Sequence, residues 1–134
     1  MNMIDILLCL SLLVEGDTLK SQCKYYYDSL VNMNVYTHVD TKPIYSGKQS
    51  DINSVFLKNI SIKDSEDLSF MVDLDFIIDT CGKVISPRIH GKSENEYNEL
   101  EKDAINITQY LKYWRPARCG NQPVLYLNRL RIIL

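Results

Sequence analysis

Residues Ser93 to Pro116 read SENEYNELEKDAINITQYLKYWRP, and apolar side chains recur along them at alternating spacings of three and four. These apolar positions are Tyr97, Leu100, Ala104, Ile107, Leu111 and Trp114. Residues at this spacing share one face of an α-helix. The sequence therefore predicts an amphipathic helix whose apolar face is buried against the rest of the chain.

Both ends of this helix carry sequence signals. Glu96 follows Ser93 at the spacing of a capping box, in which the serine hydroxyl and the glutamate carboxylate each accept a backbone N–H. Pro116 predicts the other end, because a proline disfavours helical backbone angles at Arg115 and has no N–H to donate.

A strand hairpin is expected before the helix. Apolar residues alternate with more polar ones at Phe70, Val72, Leu74, Phe76 and Ile78, the period of a strand with one buried face. Thr80 to Lys83 then reads as a tight turn, with Gly82 supplying a positive φ. The return strand runs from Val84 to His90, and Pro87 assigns it to a sheet edge because proline cannot donate to a ladder.

A second helix and a last strand complete the predicted elements. Asp51 is a suitable cap for a helix that carries Ile52 and Phe56 on one side. Loop residues from Arg118 to Pro123 lead to the last strand. Its apolar positions are Val124, Tyr126, Leu130, Ile132 and Leu134.

The N-terminal part has a different composition. Ile6 to Val14 is a short apolar run of the length of a signal-peptide core, so residues 1–22 are expected to be a signal peptide or leader. The alternative is a buried N-terminal helix or strand of the domain. Residues 23–34 have a loose helical spacing and are expected to form a connector. Tyr25 to Tyr27 within them favour a packing surface over a binding site.

Composition excludes several classes of function. The formal net charge is −2, with 15 Lys and Arg spread among 17 Asp and Glu, so nucleic-acid binding is disfavoured. The four cysteines lie far apart and only two histidines accompany them, which argues against a metal site. No cofactor is expected, and no apolar run reaches the roughly 18 to 20 residues needed to cross a bilayer.

No catalytic constellation stands out, so an enzyme is not expected. His38 and His90 are isolated on predicted strands, without a nucleophile at a matching spacing. Asp73, Asp75 and Asp79 lie in the polar phase of a strand, which is typical of a solvated face. A small hydrolase is the weakest of the hypotheses.

Several segments together resemble the C-terminal domain of the TonB family, the periplasmic energy transducers of Gram-negative bacteria. The resemblance covers residues 35–134. It is carried by Pro43 to Gly47, the aspartate-turn-glycine hairpin from Phe76 to Val84, Trp114 to Ala117, and Gly120 to Val124. It implies an α+β fold in which two helices pack on a three-stranded antiparallel sheet. The membrane anchor and the Pro-rich spacer of an energy transducer are not expected in this chain.

The resemblance also implies a function. In the family, this domain binds an extended segment of an outer-membrane transporter by β-strand addition to the sheet edge. The corresponding edge here is the last strand, formed by Val124, Leu125, Tyr126, Leu127, Asn128, Arg129, Leu130, Arg131 and Ile132. A periplasmic or secreted protein-binding module is therefore expected. The alternative is a structural or regulatory protein that self-associates through that edge, without transport coupling.

Four residues are expected to have structural roles, and two cysteines are expected to form a disulfide. Gly82 permits the hairpin, Trp114 anchors the helix end over the sheet, and Pro116 with Gly120 directs the chain into the last strand. The implied topology brings the turn at Cys81 to the same end as the loop at Cys119, which implies a Cys81–Cys119 disulfide. Free thiols in a reducing compartment are the alternative.

Overall fold

A computed structural model describes residues 22–46, 49–61, 71–112 and 114–133. The strands are β1 (Lys24–Asp28), β2 (Met33–His38), β3 (Ile44–Tyr45), β4 (Met71–Ile78), β5 (Val84–Ile89), β6 (Trp114–Arg115), β7 (Ala117–Cys119), β8 (Gln122–Val124) and β9 (Tyr126–Ile133). The helices are α1 (Gln49–Asn59) and α2 (Glu99–Ile107), with 3-10 turns at Glu94–Glu96 and Thr108–Tyr110. The apolar run of the expected leader lies outside the described residues.

Five strands form the main sheet, in the order β1-β2-β9-β4-β5. β4 pairs antiparallel with β5 and β9, β1 pairs antiparallel with β2, and β2 runs parallel to β9. The expectation of two helices on a three-stranded antiparallel sheet is therefore wrong, because the β1-β2 hairpin extends the sheet. The prediction that the Pro87 strand lies at an edge is confirmed, since β5 is the outermost strand on its side.

Strand β1 forms where a connector with helical spacing was expected. Tyr25 and Tyr27 are exposed, whereas Tyr26 is half-buried and Asp28 is buried. This alternation has the period of a strand, and aromatic residues favour strands. Three consecutive tyrosines hide the alternation in the sequence, because the inward and outward positions carry the same residue type.

The main core lies between the sheet and the two helices. The inward residues of β4 are Val72, Leu74, Phe76 and Ile78, and they pack with Ile52 and Phe56 of α1, Ala104 and Ile107 of α2, and Ile132 of β9. The alternation predicted for β4 is confirmed from Val72 to Ile78, but the expectation of one buried and one solvated face is wrong, because Asp75 and Ile77 on the other face are also buried. Phe70 lies outside the described residues. The apolar face predicted for the helix after Asp51 is confirmed. Phe56 and Phe76 are fully buried, so these two rings occupy the centre of the domain.

The opposite face of the sheet is also partly covered. Ile77 points away from the main core, because successive side chains of a strand alternate between faces, yet it is fully buried. Val35 of β2 is likewise fully buried and lies outside the main core cluster. Asp28, at the end of β1, reaches Arg88 of β5, with 3.0 Å between Oδ2 and Nη1. The β1-β2 hairpin therefore crosses back over the far face of the sheet.

The long helix predicted from Ser93 to Pro116 is broken into shorter pieces. The capping box at Ser93 and Glu96 is present, but it caps one 3-10 turn, because Tyr97 is extended with ψ 132°. Asn98 then caps α2 with a second capping box, in which its side chain accepts the Glu101 N–H at 2.8 Å. The polar cap at Asn98 competes with a continuous helix and restarts it.

Trp114 lies on a strand, so its predicted place on the helix is wrong. β6 pairs antiparallel with β3, which sets Trp114 opposite Tyr45. The indole ring is buried and contacts the rings of Tyr45 and Phe76, at centroid distances of 5.0 and 5.9 Å. Trp114 still packs over the sheet, but it lies on β6, a strand that ends just before Pro116.

Gly82 has the positive φ that the hairpin turn predicted, at 82°. The Asp79 carboxylate accepts the N–H groups of Cys81 and Lys83, each at 2.9 Å, which fixes the turn. A Cβ built on Gly82 would overlap the carbonyl oxygen of Trp114. The turn therefore also packs directly against the backbone of β6, the strand that carries Trp114.

Candidate protein-binding site

Strand β9 does not form the sheet edge that the resemblance implied. Its whole length pairs with β4, and β2 lies on its other side. The pairing with β2 is short, since the register contains only Tyr36 opposite Tyr126 and the Tyr36 N–H bonds to the Leu125 carbonyl at 2.8 Å. Val124, counted with the expected edge, belongs to β8, where it pairs with Ala117. The assignment of Val124 to Ile132 as one free edge is corrected accordingly.

The backbone of β9 alternates between its two neighbours. The Leu125 carbonyl points to β2, so the N–H and C=O groups of Arg129 and Arg131 point to the same side, away from β4. The pairing with β4 is consistent with this alternation. The Asp73 carbonyl accepts the His90 N–H of β5, so the backbone groups of the neighbouring residues Val72 and Leu74 point to β9, opposite Ile132 and Leu130. Within residues 22–46, 49–61, 71–112 and 114–133, no strand pairs with this side of β9 beyond Tyr126.

A groove runs beside this open part of β9. Its volume is about 350 Å³, and its lining is Pro43, Ile44, Tyr45, Ile52, Trp114, Asn128, Arg129 and Leu130. One wall is the small β3-β6 sheet and the other is β9. Ile44 is 52% exposed, which places a large apolar side chain at the mouth of the groove. Unpaired backbone on β9 thus lies next to a groove of mixed polar and apolar surface with Ile44 at its mouth, and open backbone is what β-strand addition needs first.

The opposite face beside the same strand is charged. Arg131 donates from Nε to Asp73 Oδ1 at 2.8 Å, and this hydrogen bond lowers the pKa of Asp73. Arg129 Nε lies 3.2 Å from Asp75 Oδ1, although that oxygen has no well-aligned hydrogen bond among the described residues. His90 Nδ1 contacts the other oxygen of Asp75 at 2.9 Å. The two arginine side chains are 64% and 60% exposed, so they retain donors for a ligand.

A buried polar cluster holds the β1-β2 hairpin in place over the sheet. Tyr26 donates its hydroxyl to Asp28 Oδ2 at 2.7 Å, and Arg88 donates to both carboxylate oxygens. Burial, followed by the hydrogen bond to Asp28, raises the pKa of Tyr26 to about 12. Burial alone would raise the pKa of Asp28, but the hydrogen bonds from Tyr26 and Arg88 lower it. This cluster ties the end of β1 to β5, the strand at the other edge of the sheet.

The disulfide at Cys119 joins a different partner from the one expected. Cys119 bonds to Cys23, with 6.2 Å between the Cα atoms, so the Cys81–Cys119 pairing is wrong. The reason is β1, because its position in the sheet brings Cys23 to the turn between β7 and β8. Cys81 is also disulfide-bonded. The chain-entropy model values a bridge over a loop of 96 residues at roughly 4.7 kcal/mol.

The residues around this bridge do not make a metal site. Asp40 gathers with Cys23 and Cys119, and one ligand atom from each lies within 4.8 Å of the others. The two sulfurs are bonded to each other, however, so only one carboxylate remains as an anionic ligand. Asp40 instead accepts the Gly120 N–H at 2.6 Å. Gly120 has φ 63° and lies in the turn between β7 and β8.

Comparisons with known protein families, with curated proteins and with solved structures found no match. In the part of the chain that the structure describes, the helices are too short and too polar to cross a membrane. The resemblance to the TonB family and the expectation that the chain is not an enzyme remain predictions.

From the sequence, some of the residues beside this groove are named as binding residues and the others are not. Arg129 and Arg131 were within the expected edge strand, and they are the residues whose backbone faces the open side. Ile44 and Tyr45 were noted only as part of the resemblance, and Ile52 only as core. Their convergence on β9 depends on the β3-β6 pairing, which joins residues far apart in the chain.

Proposed function

We propose that this chain is a protein-binding module that takes up an extended peptide segment of a partner by β-strand addition to Arg129–Arg131 on β9. The observation that supports it is the open side of β9 beside the groove that has the exposed side chain of Ile44 at its mouth. Backbone N–H and C=O groups would supply affinity, and the two faces beside the strand would supply selectivity.

The two faces define the pattern of the proposed ligand. Side chains pointing to the main-core side of β9 would meet Ile44, which is exposed, and Tyr45, which is half-buried, and this favours apolar residues. Those pointing to the other side would meet Arg129 and Arg131, which favours acidic residues. The partner segment is therefore an extended stretch in which apolar and acidic residues alternate.

An oxidising location, periplasmic or secreted, belongs to the same proposal. It is supported by the Cys23–Cys119 bridge and by the bonded state of Cys81, since disulfides persist in oxidising compartments. An outer-membrane transporter segment is one partner of this kind, as the resemblance implies.

A peptide titration followed by NMR tests the proposal. The probe is a peptide of about eight residues, the ordinary length of a strand, in which valine and glutamate alternate. We expect the amide signals of Arg129, Arg131 and Ile44 to shift, and those of the Pro87 edge to stay unchanged. The matched ligand control is a peptide of the same composition in which all the valines precede all the glutamates. Unchanged signals at millimolar peptide would contradict the proposal.

Self-association through the same edge is the second candidate. The exposed apolar side chain of Ile44 and the unpaired backbone of β9 favour it, because an open edge pairs with any compatible strand. Size-exclusion chromatography separates the two candidates. A stable dimer that ignores the peptide and dissociates in an Ile44→Lys variant favours self-association, whereas a monomer that binds the peptide favours the module.

A further inference from the structure

Strand β1 forms the edge of the main sheet on the side away from β5. Tyr25 pairs with Tyr36, whose N–H bonds to the Leu125 carbonyl and so points away from β1. Backbone groups alternate in direction along an antiparallel strand. The N–H and C=O groups of Tyr25 and Tyr27 therefore point outward from the sheet, whereas those of Tyr26 point to β2. Among the residues that the structure describes, no strand pairs with this outer side of β1.

The side chains of β1 do little to protect this edge. Exposed edge strands are ordinarily blunted by charged residues, by proline or by a bulge. The three central residues of β1 are all tyrosine, and its charges and its register irregularity lie at the ends, at Asp28 and next to Lys24. Tyr25 and Tyr27 are 58% and 62% exposed. The middle of the strand is therefore an aromatic edge open to another strand.

Strand β1 is anchored at both of its ends. Cys23, directly before the strand, is bonded to Cys119. Asp28, its last residue, is paired with Arg88 of β5. A strand that is already held in an extended conformation loses little conformational entropy when it pairs with a partner. The open edge is therefore preformed for pairing.

The sequence of β1, KYYYD, is complementary to itself in an antiparallel pairing. Around a two-fold axis at Tyr26, Tyr25 of each copy lies opposite Tyr27 of the other, and Lys24 lies opposite Asp28. Tyr25 and Tyr27 are the residues whose backbone points outward, so each of these two pairs exchanges both of its N–H···O bonds. The same pairs place aromatic rings side by side, which stabilises a sheet. Asp28 is buried, so the end charges avoid repulsion rather than add affinity.

We propose that this chain forms a two-fold symmetric dimer in which the β1 strands of two copies pair antiparallel, with Tyr25 opposite Tyr27. The two five-stranded sheets then join into one continuous sheet. This dimer differs from self-association through β9, because it leaves the open side of β9 free in both copies. It does not depend on the proposed peptide-binding function, since the dimer forms whether or not β9 binds a peptide.

Sedimentation equilibrium of the full chain, at concentrations up to millimolar, tests the dimer. We expect the unmodified protein to sediment as a dimer. The variant Tyr25→Lys/Tyr27→Lys sets lysine opposite lysine in both pairs, so it should raise the dimer Kd at least about tenfold. The matched variant Tyr25→Lys/Tyr27→Glu sets lysine opposite glutamate and should associate more tightly than the double-lysine variant. Both variants change only exposed side chains, and circular dichroism checks that they fold.

Ile44→Lys is the control for the other edge. It changes the groove beside β9 and should leave the β1 dimer intact. The proposal is overturned if the unmodified protein stays monomeric at millimolar concentration, or if Ile44→Lys dissociates the dimer. It is also overturned if the double-lysine variant dimerises as well as the unmodified protein, or no less tightly than the lysine–glutamate variant.

Amide hydrogen exchange followed by NMR locates the interface within the dimer. The amides of Tyr25 and Tyr27 should exchange at least about tenfold more slowly in concentrated than in dilute protein, because the second copy covers them. The amide of Tyr26 bonds to β2 in both states, so its exchange should not depend on concentration. A dimer in which Tyr25 and Tyr27 exchange equally fast at both concentrations would place the interface elsewhere and overturn the proposal.

Discussion

Gly82 meets two constraints at once, and this makes it the residue on which the hairpin and the Trp114 strand both depend. Its φ of 82° is one that residues with a Cβ rarely adopt, and the space above its Cα is filled by the Trp114 carbonyl. Gly91 has a similar φ of 75° but no atom within 4 Å of a Cβ built there. Comparing alanine substitutions at the two glycines therefore separates the cost of a strained backbone from the cost of steric overlap.

Gly82→Ala should destabilise the domain more than Gly91→Ala does. The Gly91 variant carries only the cost of a left-handed backbone, about 1 to 2 kcal/mol. The Gly82 variant must also displace the strand that holds Trp114, so its loss should exceed that of Gly91→Ala by about 2 kcal/mol or more. Urea unfolding measures both. Equal losses would show that the chain near Trp114 moves away without cost.

Tyr26 should resist ionisation, because burial and its hydrogen bond to Asp28 raise its pKa to about 12. A raised pKa in the folded state contributes stability that is present below about pH 10 and is lost as the pH rises towards about 12. Absorbance in the near-ultraviolet tyrosinate band should show one tyrosine ionising last, and Tyr26→Phe should remove that step. Tyr27→Phe, at a 62% exposed position, is the control and should leave the last step in place.

At the scale of elements, the sequence predicts a strand or turn well where its signals act within a few residues, and poorly where two signals favour different structures. β4 and its turn follow from period-two alternation, Asp79 and Gly82, all of which act within a few residues. The break at Asn98 was missed because the apolar spacing continues across it, and periodicity does not register a polar side chain that caps a new helix. Strand β1 was missed because tyrosine occupies both its inward and its outward positions.

The pair formed by Asp28 and Arg88 joins the β1-β2 hairpin to the far edge strand, and breaking it should be costly. Arg88→Met keeps the aliphatic part of the side chain but leaves a carboxylate that is only 2% exposed without its cation. We expect a loss of about 3 kcal/mol. Arg131→Met breaks the exposed pair with Asp73 and should cost much less.

The pH dependence distinguishes this pair from a simple packing contact. The lowered pKa of Asp28 contributes stability that is present above its unfolded value and is lost as the pH falls through its folded pKa. Arg88→Met should therefore flatten the acid limb of the stability curve, measured by urea unfolding between about pH 2 and 6. An unchanged acid limb would mean that Asp28 does not depend on Arg88 for its ionisation.

At the scale of the whole molecule, the sequence did not predict the order of the strands, because that order depends on contacts between distant parts of the chain. β9 was assigned to an edge by resemblance, yet β2 reaches it at Tyr126 and then departs. The Cys23–Cys119 bridge and the Asp28–Arg88 pair tie the β1-β2 hairpin to two distant parts of the chain. What remains of the expected edge is the short open side at Arg129 and Arg131, next to the groove.

Amide hydrogen exchange at β9 tests that open side most directly. In the free protein, the amides of Leu130 and Ile132 bond to β4 and should exchange slowly, whereas those of Arg129 and Arg131 should exchange at least about tenfold faster. Adding the alternating valine and glutamate peptide should slow Arg129 and Arg131 and leave Leu130 unchanged. If Arg129 and Arg131 are already as protected as Leu130 in the free monomer, the edge is covered and the proposed site is contradicted.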